Sequence, residues 1–239
     1  MNILVTGVSK GLGLIIVEKL LKNNIMVFGI SRSVTSELSK LLETYPTQLK
    51  LLQYDLHDKE NVRDEIFKKF IGKTKINGFV NNAAMAYDDV ITNANMVSLE
   101  KMFHVNVFTP INITKYIIRN MILNKIGGSI IHISSISVHT GYKGLSMYAS
   151  TKGALEAFSK NTSREWGALD IRSNCIVSGF MDTEMSSTLS EDQKKRIYQR
   201  TSQKKPVDPV SIANTVYFLL NNDSSSITGQ NIHVDAGTI

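Results

Sequence analysis

The sequence predicts an α/β fold in which helices flank a doubly wound parallel sheet of about seven strands. Short apolar runs alternate with stretches of helical periodicity along the whole chain, as in repeated strand–helix–strand units. A glycine-rich turn directly follows the first apolar run. No linker, repeat or low-complexity segment divides the 239 residues, so we expect one domain that spans residues 1–239.

The composition fits such a domain, because 42% of the residues are hydrophobic and 20% are charged. The only cysteine, Cys175, excludes an intramolecular disulfide and predicts a cytoplasmic protein. No signal peptide precedes the strand that begins at Asn2, and no apolar run reaches the ~18 residues of a membrane span. The net charge of +6 favours anionic ligands, but nothing resembles a nucleic-acid module. We therefore expect neither a membrane nor a nucleic-acid partner.

The first strand, turn and helix resemble the first half of a Rossmann-type nucleotide-binding unit. Asn2–Thr6 is predicted to be a buried strand, and 14–23 has helical periodicity. Between them the glycines follow the pattern Gly-x-x-x-Gly-x-Gly, which lets the backbone approach a pyrophosphate at a helix N-terminus. A purely structural glycine turn is the alternative. The predicted cofactor-binding residues of this turn are Gly7, Ser9, Lys10, Gly11, Leu12 and Gly13.

The end of the second strand indicates which dinucleotide binds. Met26–Ile30 is followed by Ser31 and Arg32, where an NAD-binding site usually has an acid that holds the ribose 2′-hydroxyl. Arg32, together with Lys10, would instead pair with a 2′-phosphate. The sequence therefore predicts NADP(H) rather than NAD(H), the alternative being a solvated arginine.

Two further strand ends add predicted cofactor contacts. Leu49–Tyr54 runs into Asp55 and Leu56, where an adenine ring would rest. Gly78–Asn81 runs into Asn82 and Ala83, where small residues leave room for a ribose. The other predicted strands are Ser129–Ile133, Ile171–Ile176 and Gln230–Val234. Four other helices are predicted. One spans 61–70, and a second is capped by Ser98, is interrupted near Pro110 and ends near Leu123. A third runs from the region of Tyr148 to Trp166, and the fourth starts at Asp208 and ends near Leu220.

Tyr148 and Lys152 stand four residues apart, which places both side chains on one face of a helix. A phenol has a pKa of ~10, and a nearby ammonium lowers it by favouring the phenolate. The pair therefore predicts a proton donor and acceptor for a carbonyl and alcohol couple. Alone, the spacing is also explained by a surface tyrosine that packs on a lysine stem. The convergence of polar residues at strand ends favours the catalytic interpretation.

Over essentially its whole length, the chain resembles the compact, single-domain branch of the short-chain dehydrogenases/reductases. Ser135 precedes Tyr148 by 13 residues, the interval usual in that family. The resemblance implies one domain, an NAD(P)-dependent oxidoreductase activity and a substrate lid at about 179–205. The motifs that carry it are Thr6-Gly-x-x-x-Gly-x-Gly13, Asn81-Asn-Ala-Ala84, Asn106, Ser135, Tyr148-x-x-x-Lys152, Ile227-Thr-Gly-Gln230 and Val234-Asp235.

The resemblance also implies a catalytic set of Asn106, Ser135, Tyr148 and Lys152. In this set Tyr148 is the general acid in reduction and the base in oxidation, and Lys152 lowers its pKa and hydrogen-bonds the nicotinamide ribose. Ser135 donates a hydrogen bond to the substrate carbonyl oxygen, and Asn106 holds a water that connects Lys152 to solvent. Hydride passes directly between nicotinamide and substrate, and no metal is implied. Gly179 and Thr183 complete the implied cofactor contacts, Thr183 at the carboxamide.

Three positions depart from the family pattern. Ala84 replaces a glycine, Ser178 replaces a proline before Gly179, and Ala236 replaces a glycine in the last motif. None of the three belongs to the catalytic set. We expect altered lid mobility rather than lost activity.

The substrate is less well defined by the sequence. Basic lid residues are interpreted as a solvated helix face or as an attraction for an anionic substrate. The resemblance includes 3-oxoacyl-carrier-protein reductases, but the positions where those place docking cations are Ile126 and Leu169 here. We therefore expect a small-molecule carbonyl or alcohol. The predicted pocket walls are Met85, Tyr87, Ser137, His139, Tyr142, Met147, Phe180 and Met181, and the basic lid residues are Lys194, Lys195, Arg196, Arg200, Lys204 and Lys205.

The family resemblance implies a homotetramer or homodimer formed through the Asn106 and Tyr148 helices. The second helix offers an apolar surface for this, although packing inside the monomer explains the same residues. The competing functions are a 3-oxoacyl-thioester reductase, a non-catalytic dinucleotide sensor on the same fold, and a different nucleotide enzyme such as a methyltransferase, which leaves Tyr148 and Lys152 unexplained. The apolar residues of the second helix are Ala154, Leu155, Ala157, Phe158 and Trp166. The single histidines His104, His132 and His139 are interpreted as structural or pocket residues.

Overall fold

Seven strands form one sheet in which every neighbouring pair is parallel, in a computed structural model that describes residues 1–58, 60–182 and 189–239. Their order is β3-β2-β1-β4-β5-β6-β7. From β1 to β3 the strands are added toward one edge of the sheet, and from β4 to β7 they are added toward the other edge. This arrangement confirms the predicted fold class. The strands are β1 (Asn2–Thr6), β2 (Met26–Ser31), β3 (Leu49–Gln53), β4 (Gly78–Asn81), β5 (Gly128–Ser135), β6 (Ile171–Ser178) and β7 (Asn231–Val234).

Helices cover both faces of the sheet, because alternate strand residues point to opposite sides. In β1, Ile3 and Val5 join the core under one layer of helices, whereas Leu4 joins the other core. Among the helices of the described residues, none combines the length and the apolar character that a bilayer crossing requires. The helices are α1 (Gly11–Lys22), α2 (Ser36–Thr44), α3 (Met96–Phe103), α4 (Thr109–Asn124), α5 (Ser137–Thr140), α6 (Ser146–Trp166), α7 (Glu191–Arg200) and α8 (Pro209–Leu220), with a π-helix over Val62–Ile71.

The helix that leads to Asn106 begins earlier than predicted. Asn95, not Ser98, caps α3, because its side-chain oxygen accepts from the backbone N–H of Ser98 at 3.0 Å. The predicted interruption near Pro110 takes the form of a π-helical stretch over His104–Phe108, after which α4 continues with Pro110 in its first turn. Asn106 lies in that stretch.

Three helices were given no bounds in the sequence prediction. α2 has Leu38 as its only fully buried residue, so its periodic signal is weak. α5 has only four residues. For α7 a local signal was present, because Ser190 and Gln193 form a capping box at its start.

A buried carboxylate joins β5 to the edge of the sheet. Glu156 on α6 accepts hydrogen bonds from the hydroxyl of Ser134 on β5 and from the Asn231 amide on β7, the latter at 2.7 Å. The Nε2 atom of His139 lies 3.1 Å from a Glu156 oxygen, and its ring packs against His233 with centroids 5.0 Å apart. One side chain thus satisfies groups on three elements.

Glu156→Ala is expected to destabilise the protein by about 2 kcal/mol, because it leaves the buried Ser134 hydroxyl without its acceptor and removes the partner of Asn231 and His139. Urea unfolding would measure this change as a lower midpoint. Glu165→Ala, an exposed glutamate on the same helix, is the matched control and should leave the midpoint unchanged. Equal midpoints for the two variants would contradict the assigned role.

Candidate active site

The glycine turn lies at the carboxyl ends of β1 and β2. The backbone N–H of Gly7 donates to the Ile30 carbonyl at 2.8 Å, and Gly7 adopts a left-handed conformation with φ +75°. A Cβ on Gly13 would lie 1.9 Å from the Gly7 carbonyl oxygen, so only glycine fits there. α1 starts at Gly11 and directs its free N–H groups and positive dipole end toward this turn. Within the turn, Leu12 is buried, Ser9 half-buried and Lys10 exposed.

The end of β4 is bound to the same turn. The Thr6 hydroxyl accepts from the backbone N–H groups of Asn82 and Ala83, at 3.2 and 3.1 Å. The Asn82 side chain donates to the carbonyls of Thr6 and Gly7, at 3.0 and 3.1 Å. These four bonds make the glycine turn and the Asn82–Ala83 segment one rigid cradle.

The loop after β2 faces this cradle. Arg32 follows β2 directly and is exposed. The Thr35 hydroxyl donates to the Ser9 carbonyl at 2.6 Å, which ties the loop to the glycine turn. The Arg32 guanidinium on this neighbouring loop is therefore available to pair with an anionic group that binds at the turn.

Asp55 and Leu56 follow β3 at the same edge of the sheet. The Asp55 carboxylate accepts from the backbone N–H of His57 at 2.9 Å and remains exposed. Leu56 is buried, and its carbonyl accepts from the Thr109 hydroxyl at 2.6 Å. The structure thus brings the predicted cofactor residues of four strand ends to one side of the sheet.

Lys152 and Tyr148 share one face of α6, as their spacing predicts. Lys152 is 2% exposed, its ammonium donates to the Ile133 carbonyl at 2.8 Å, and it lies 5.6 Å from the centroid of the Tyr148 ring. Burial lowers the pKa of Lys152 to about 8. The pKa of Tyr148 is raised, first by burial and then by the nearby Asp88 carboxylate. The predicted lowering of the Tyr148 pKa by Lys152 is not seen in this structure, where burial and Asp88 raise that pKa.

Asn106 connects the loop after β4 to α6. Its amide donates to the Met85 carbonyl and to the Thr151 hydroxyl, at 2.9 and 3.0 Å, and its oxygen accepts from the Met85 N–H at 2.9 Å. The Thr151 hydroxyl in turn donates to the Tyr148 carbonyl at 2.7 Å. Thr151 is thus a support of the site that the sequence reasoning missed, and Met85, predicted as a pocket wall, supports the site through its backbone. No sequence motif marks these contacts, since they depend on how the loop packs against the helix.

Ser135 ends β5 and is paired in register with Ser178 of β6. The backbone N–H of Ser137 donates to the Ser135 hydroxyl oxygen at 3.2 Å. With a lone pair of that oxygen occupied, the Ser135 hydroxyl hydrogen is left for another acceptor. The strand end therefore presents a hydrogen-bond donor at the edge where the glycine turn also lies.

A family model described as enoyl-(acyl carrier protein) reductase, a type of the short-chain dehydrogenases/reductases, matches residues 7–238. The chain belongs to the short-chain dehydrogenase/reductase family. An L-xylulose reductase of Caenorhabditis elegans is 31% identical over 239 residues, which cover 99% of this chain and 94% of the relative. The 3-oxoacyl-[acyl-carrier-protein] reductase of Escherichia coli K12 is 31% identical over 236 residues, 98% of this chain and 95% of the relative. A solved structure, ElxO with NADP bound, has a TM-score of 0.88 and 27% identity, and the match covers 99% of this chain and 98% of that one.

In this short-chain dehydrogenase/reductase, the start of the predicted lid is well fixed. Gly179 is buried, its N–H donates to the Val234 carbonyl at 2.9 Å, and a Cβ there would lie 2.6 Å from the Asp235 Cα. Thr183 lies outside the described residues. On α7, Lys194 pairs with Asp182 at 2.9 Å and with Glu191 at 3.2 Å, so this lid cation is engaged by acids of the lid itself.

The three single histidines of this family member lie beside the site rather than in the catalytic set. His132 is fully buried, its Nδ1 is 3.2 Å from the Asn81 amide nitrogen, and burial, with Lys152, lowers its pKa to about 3. It is therefore neutral at physiological pH. His139 belongs to the Glu156 cluster, and His104 packs edge-on against Phe108 at 5.1 Å.

Proposed function

We propose that this chain is an NADP(H)-dependent oxidoreductase that interconverts a carbonyl and a secondary alcohol by direct hydride transfer, with Tyr148 as general acid and base. The observation that carries the proposal is the placement of Ser135, Tyr148 and Lys152 at the sheet edge that also holds the glycine cradle. The cradle fits a pyrophosphate, because the turn meets the N-terminus of α1 and the space beside Gly11 is open, with no atom within 4 Å of a Cβ placed there. The dinucleotide, when bound, supplies or accepts the hydride.

The side chains have separate tasks in reduction. Ser135 donates a hydrogen bond to the substrate oxygen, which polarises the carbonyl and stabilises developing negative charge. Tyr148, whose raised pKa keeps the phenol protonated at neutral pH, gives its proton to that oxygen as the carbon gains hydride. Lys152, with a pKa near 8, is still mostly protonated at pH 7 and stabilises the phenolate that remains. Asn106 holds the loop after β4 in place against α6 through its hydrogen bonds to Met85 and Thr151.

The preference for NADP(H) is supported by Arg32, which stands where an NAD site would have an acid. A related structure at 27% identity was solved with NADP bound. The exposed guanidinium sits on a loop that Thr35 ties to the glycine turn. A 2′-phosphate on the adenosine ribose would give this arginine a bidentate partner.

Arg32→Ala is expected to weaken NADPH binding about tenfold and to leave NADH binding nearly unchanged, because only NADPH carries the phosphate. Fluorescence titration of both reduced dinucleotides would measure the two dissociation constants. Arg164→Ala, an exposed arginine at the far end of α6, is the control for loss of general positive charge. An unchanged NADPH to NADH ratio in Arg32→Ala would contradict the role given to this residue.

A small-molecule carbonyl or alcohol is the substrate class we propose. One relative is named for a sugar and another for a carrier-bound thioester, and the positions of the carrier-docking cations are Ile126 and Leu169 here. A 3-oxoacyl-thioester reductase is therefore the second candidate, favoured by the E. coli relative. NADPH oxidation with a panel of diketones, sugars and acyl thioesters tests the proposal, and tight NADPH binding without turnover of any of them would favour a dinucleotide sensor.

The oligomeric state and the location remain part of the proposal. The surface predicted on α6 is smaller than expected, because Leu155 is fully buried under the helix and Trp166 packs against the core. Ala157 is exposed, and Phe108 beside α4 is 49% exposed, which supports self-association through these helices. A dimer or tetramer should be visible by light scattering. Cys175 is a free, buried thiol whose pKa burial raises to about 12, which supports a cytoplasmic location.

A further inference from the structure

The loop between β4 and α3 reaches across to the loop that precedes Tyr148. The backbone N–H of Asp89 donates to the Gly144 carbonyl at 3.0 Å. Gly144 stands four residues before Tyr148 and two before the start of α6. The backbone of Asp89 is thereby fixed against the loop that leads into α6 and to Tyr148.

The two neighbouring aspartates of this loop differ in their surroundings. The Asp89 carboxylate accepts from the Val90 N–H at 2.8 Å and from the Asn93 amide at 3.4 Å, so its charge is used within the loop. Asp88 has no hydrogen bond or ion pair to any residue within the described ranges. Asp88 is an exposed residue, and its pKa is raised because neighbouring atoms shield part of the carboxylate from water. Asp88 therefore offers a negative charge with unused acceptor capacity on the loop that is bonded to Gly144.

Three cations of the site and the lid are engaged elsewhere. The Lys152 ammonium is bound to the Ile133 carbonyl behind Tyr148, and Lys194 of the lid is paired with Asp182 and Glu191. Arg200 at the end of α7 stacks its guanidinium 5.8 Å from the centroid of the Tyr142 ring. Asp88 is the charged side chain whose field adds to burial at the Tyr148 hydroxyl. The field of a negative charge thus reaches that hydroxyl, although the chain as a whole carries +6.

We propose that Asp88 selects the charge of the substrate, favouring a cationic or neutral group next to the reacting carbonyl and rejecting a carboxylate there. The inference rests on the proposed function, since it needs the carbonyl oxygen at Tyr148. With the carbonyl in that place, a charged substituent of the substrate lies in the field of Asp88 as the Tyr148 hydroxyl does, and like charges repel there. This opposes the prediction that the basic lid draws in anionic substrates.

The test uses three acetoacetyl compounds that share one reacting ketone: acetoacetate, its ethyl ester and its choline ester, with charges of −1, 0 and +1. NADPH oxidation gives kcat/KM for each with the wild-type protein and with Asp88→Asn. We expect the choline ester to exceed acetoacetate in the wild type and the ratio of the two to fall about tenfold in Asp88→Asn, with the ethyl ester changed little. The wild-type ratio should also shrink with added salt, which a merely structural role of Asp88 would not produce.

Asp223→Asn is the matched control, because this exposed aspartate follows α8 near the amino end of β6, on the opposite edge of the sheet. It should leave the ratio at its wild-type value. A ratio that is the same in Asp88→Asn as in the wild type, with ethyl ester turnover intact, would overturn the inference and leave the proposed function standing. If the wild type reduces none of the three compounds and no carbonyl of the wider panel, both the proposed function and this inference are overturned.

Discussion

Tyr148→Phe is expected to lower kcat/KM for carbonyl reduction by about 10³-fold while NADPH still binds with nearly wild-type affinity. The substitution removes only the hydroxyl that delivers the proton, and general acid catalysis of this kind contributes about 10²- to 10⁴-fold. The helix should be unaffected, because Thr151 bonds to the backbone carbonyl of Tyr148 and not to its side chain. Steady-state NADPH oxidation and fluorescence titration measure the two quantities separately.

Tyr45→Phe, at the C-terminal end of α2, is the control for loss of a tyrosine hydroxyl away from the site. It should retain full activity. If Tyr148→Phe turned over a carbonyl at the wild-type rate, proton transfer by Tyr148 would be ruled out. If neither the wild type nor the variant reduced any carbonyl and both bound NADPH tightly, the sensor hypothesis would replace the enzyme.

Gly13→Ala is expected to weaken NADPH binding about 100-fold and to lower thermal stability by an amount equivalent to about 2 kcal/mol. The new Cβ would lie 1.9 Å from the Gly7 carbonyl oxygen and 2.6 Å from the Asn82 amide nitrogen, so the turn must move away from α1. That movement breaks the hydrogen bonds that hold the cradle together. Calorimetry of the free protein and NADPH titration would measure the two effects.

Gly167→Ala provides the comparison, because a Cβ there meets no atom within 4 Å and the backbone is not left-handed. It should change neither the melting temperature nor NADPH affinity. Wild-type NADPH affinity in Gly13→Ala would show that the close contact between turn and helix is not needed for dinucleotide binding. The cofactor would then have to bind away from this cradle.

The strands could be predicted because each contains a short apolar run that a two-sided parallel sheet requires. β1 and β4 have the predicted bounds, whereas β5 and β6 each run two residues beyond the predicted end. The additional residues include Ser135 and Ser178, which pair in the sheet although they are polar. Hydrophobic patterning cannot detect such residues, since their place in the ladder depends on backbone hydrogen bonds alone.

The candidate site was predictable in its members and less so in its electrostatics. The four-residue spacing placed Tyr148 and Lys152 together, but the direction of the Tyr148 pKa depends on burial and on Asp88, which a loop brings in from 60 residues earlier (148 − 88). The contacts of Asn106 with Met85 and Thr151 depend likewise on tertiary packing. Local spacing specifies neighbours on one element, and the environment of a charge is set by elements distant in sequence.

Asn106 fastens one end of the β4–α3 loop at Met85, and Gly144 fastens its middle at Asp89. The three residues between these two anchors can change without displacing the helix that carries the proton donor. Natural variation at those positions would therefore retune which molecules are accepted while the reaction itself stays intact. A library randomised at 86–88 should accordingly yield altered substrate ranges far more often than inactive proteins.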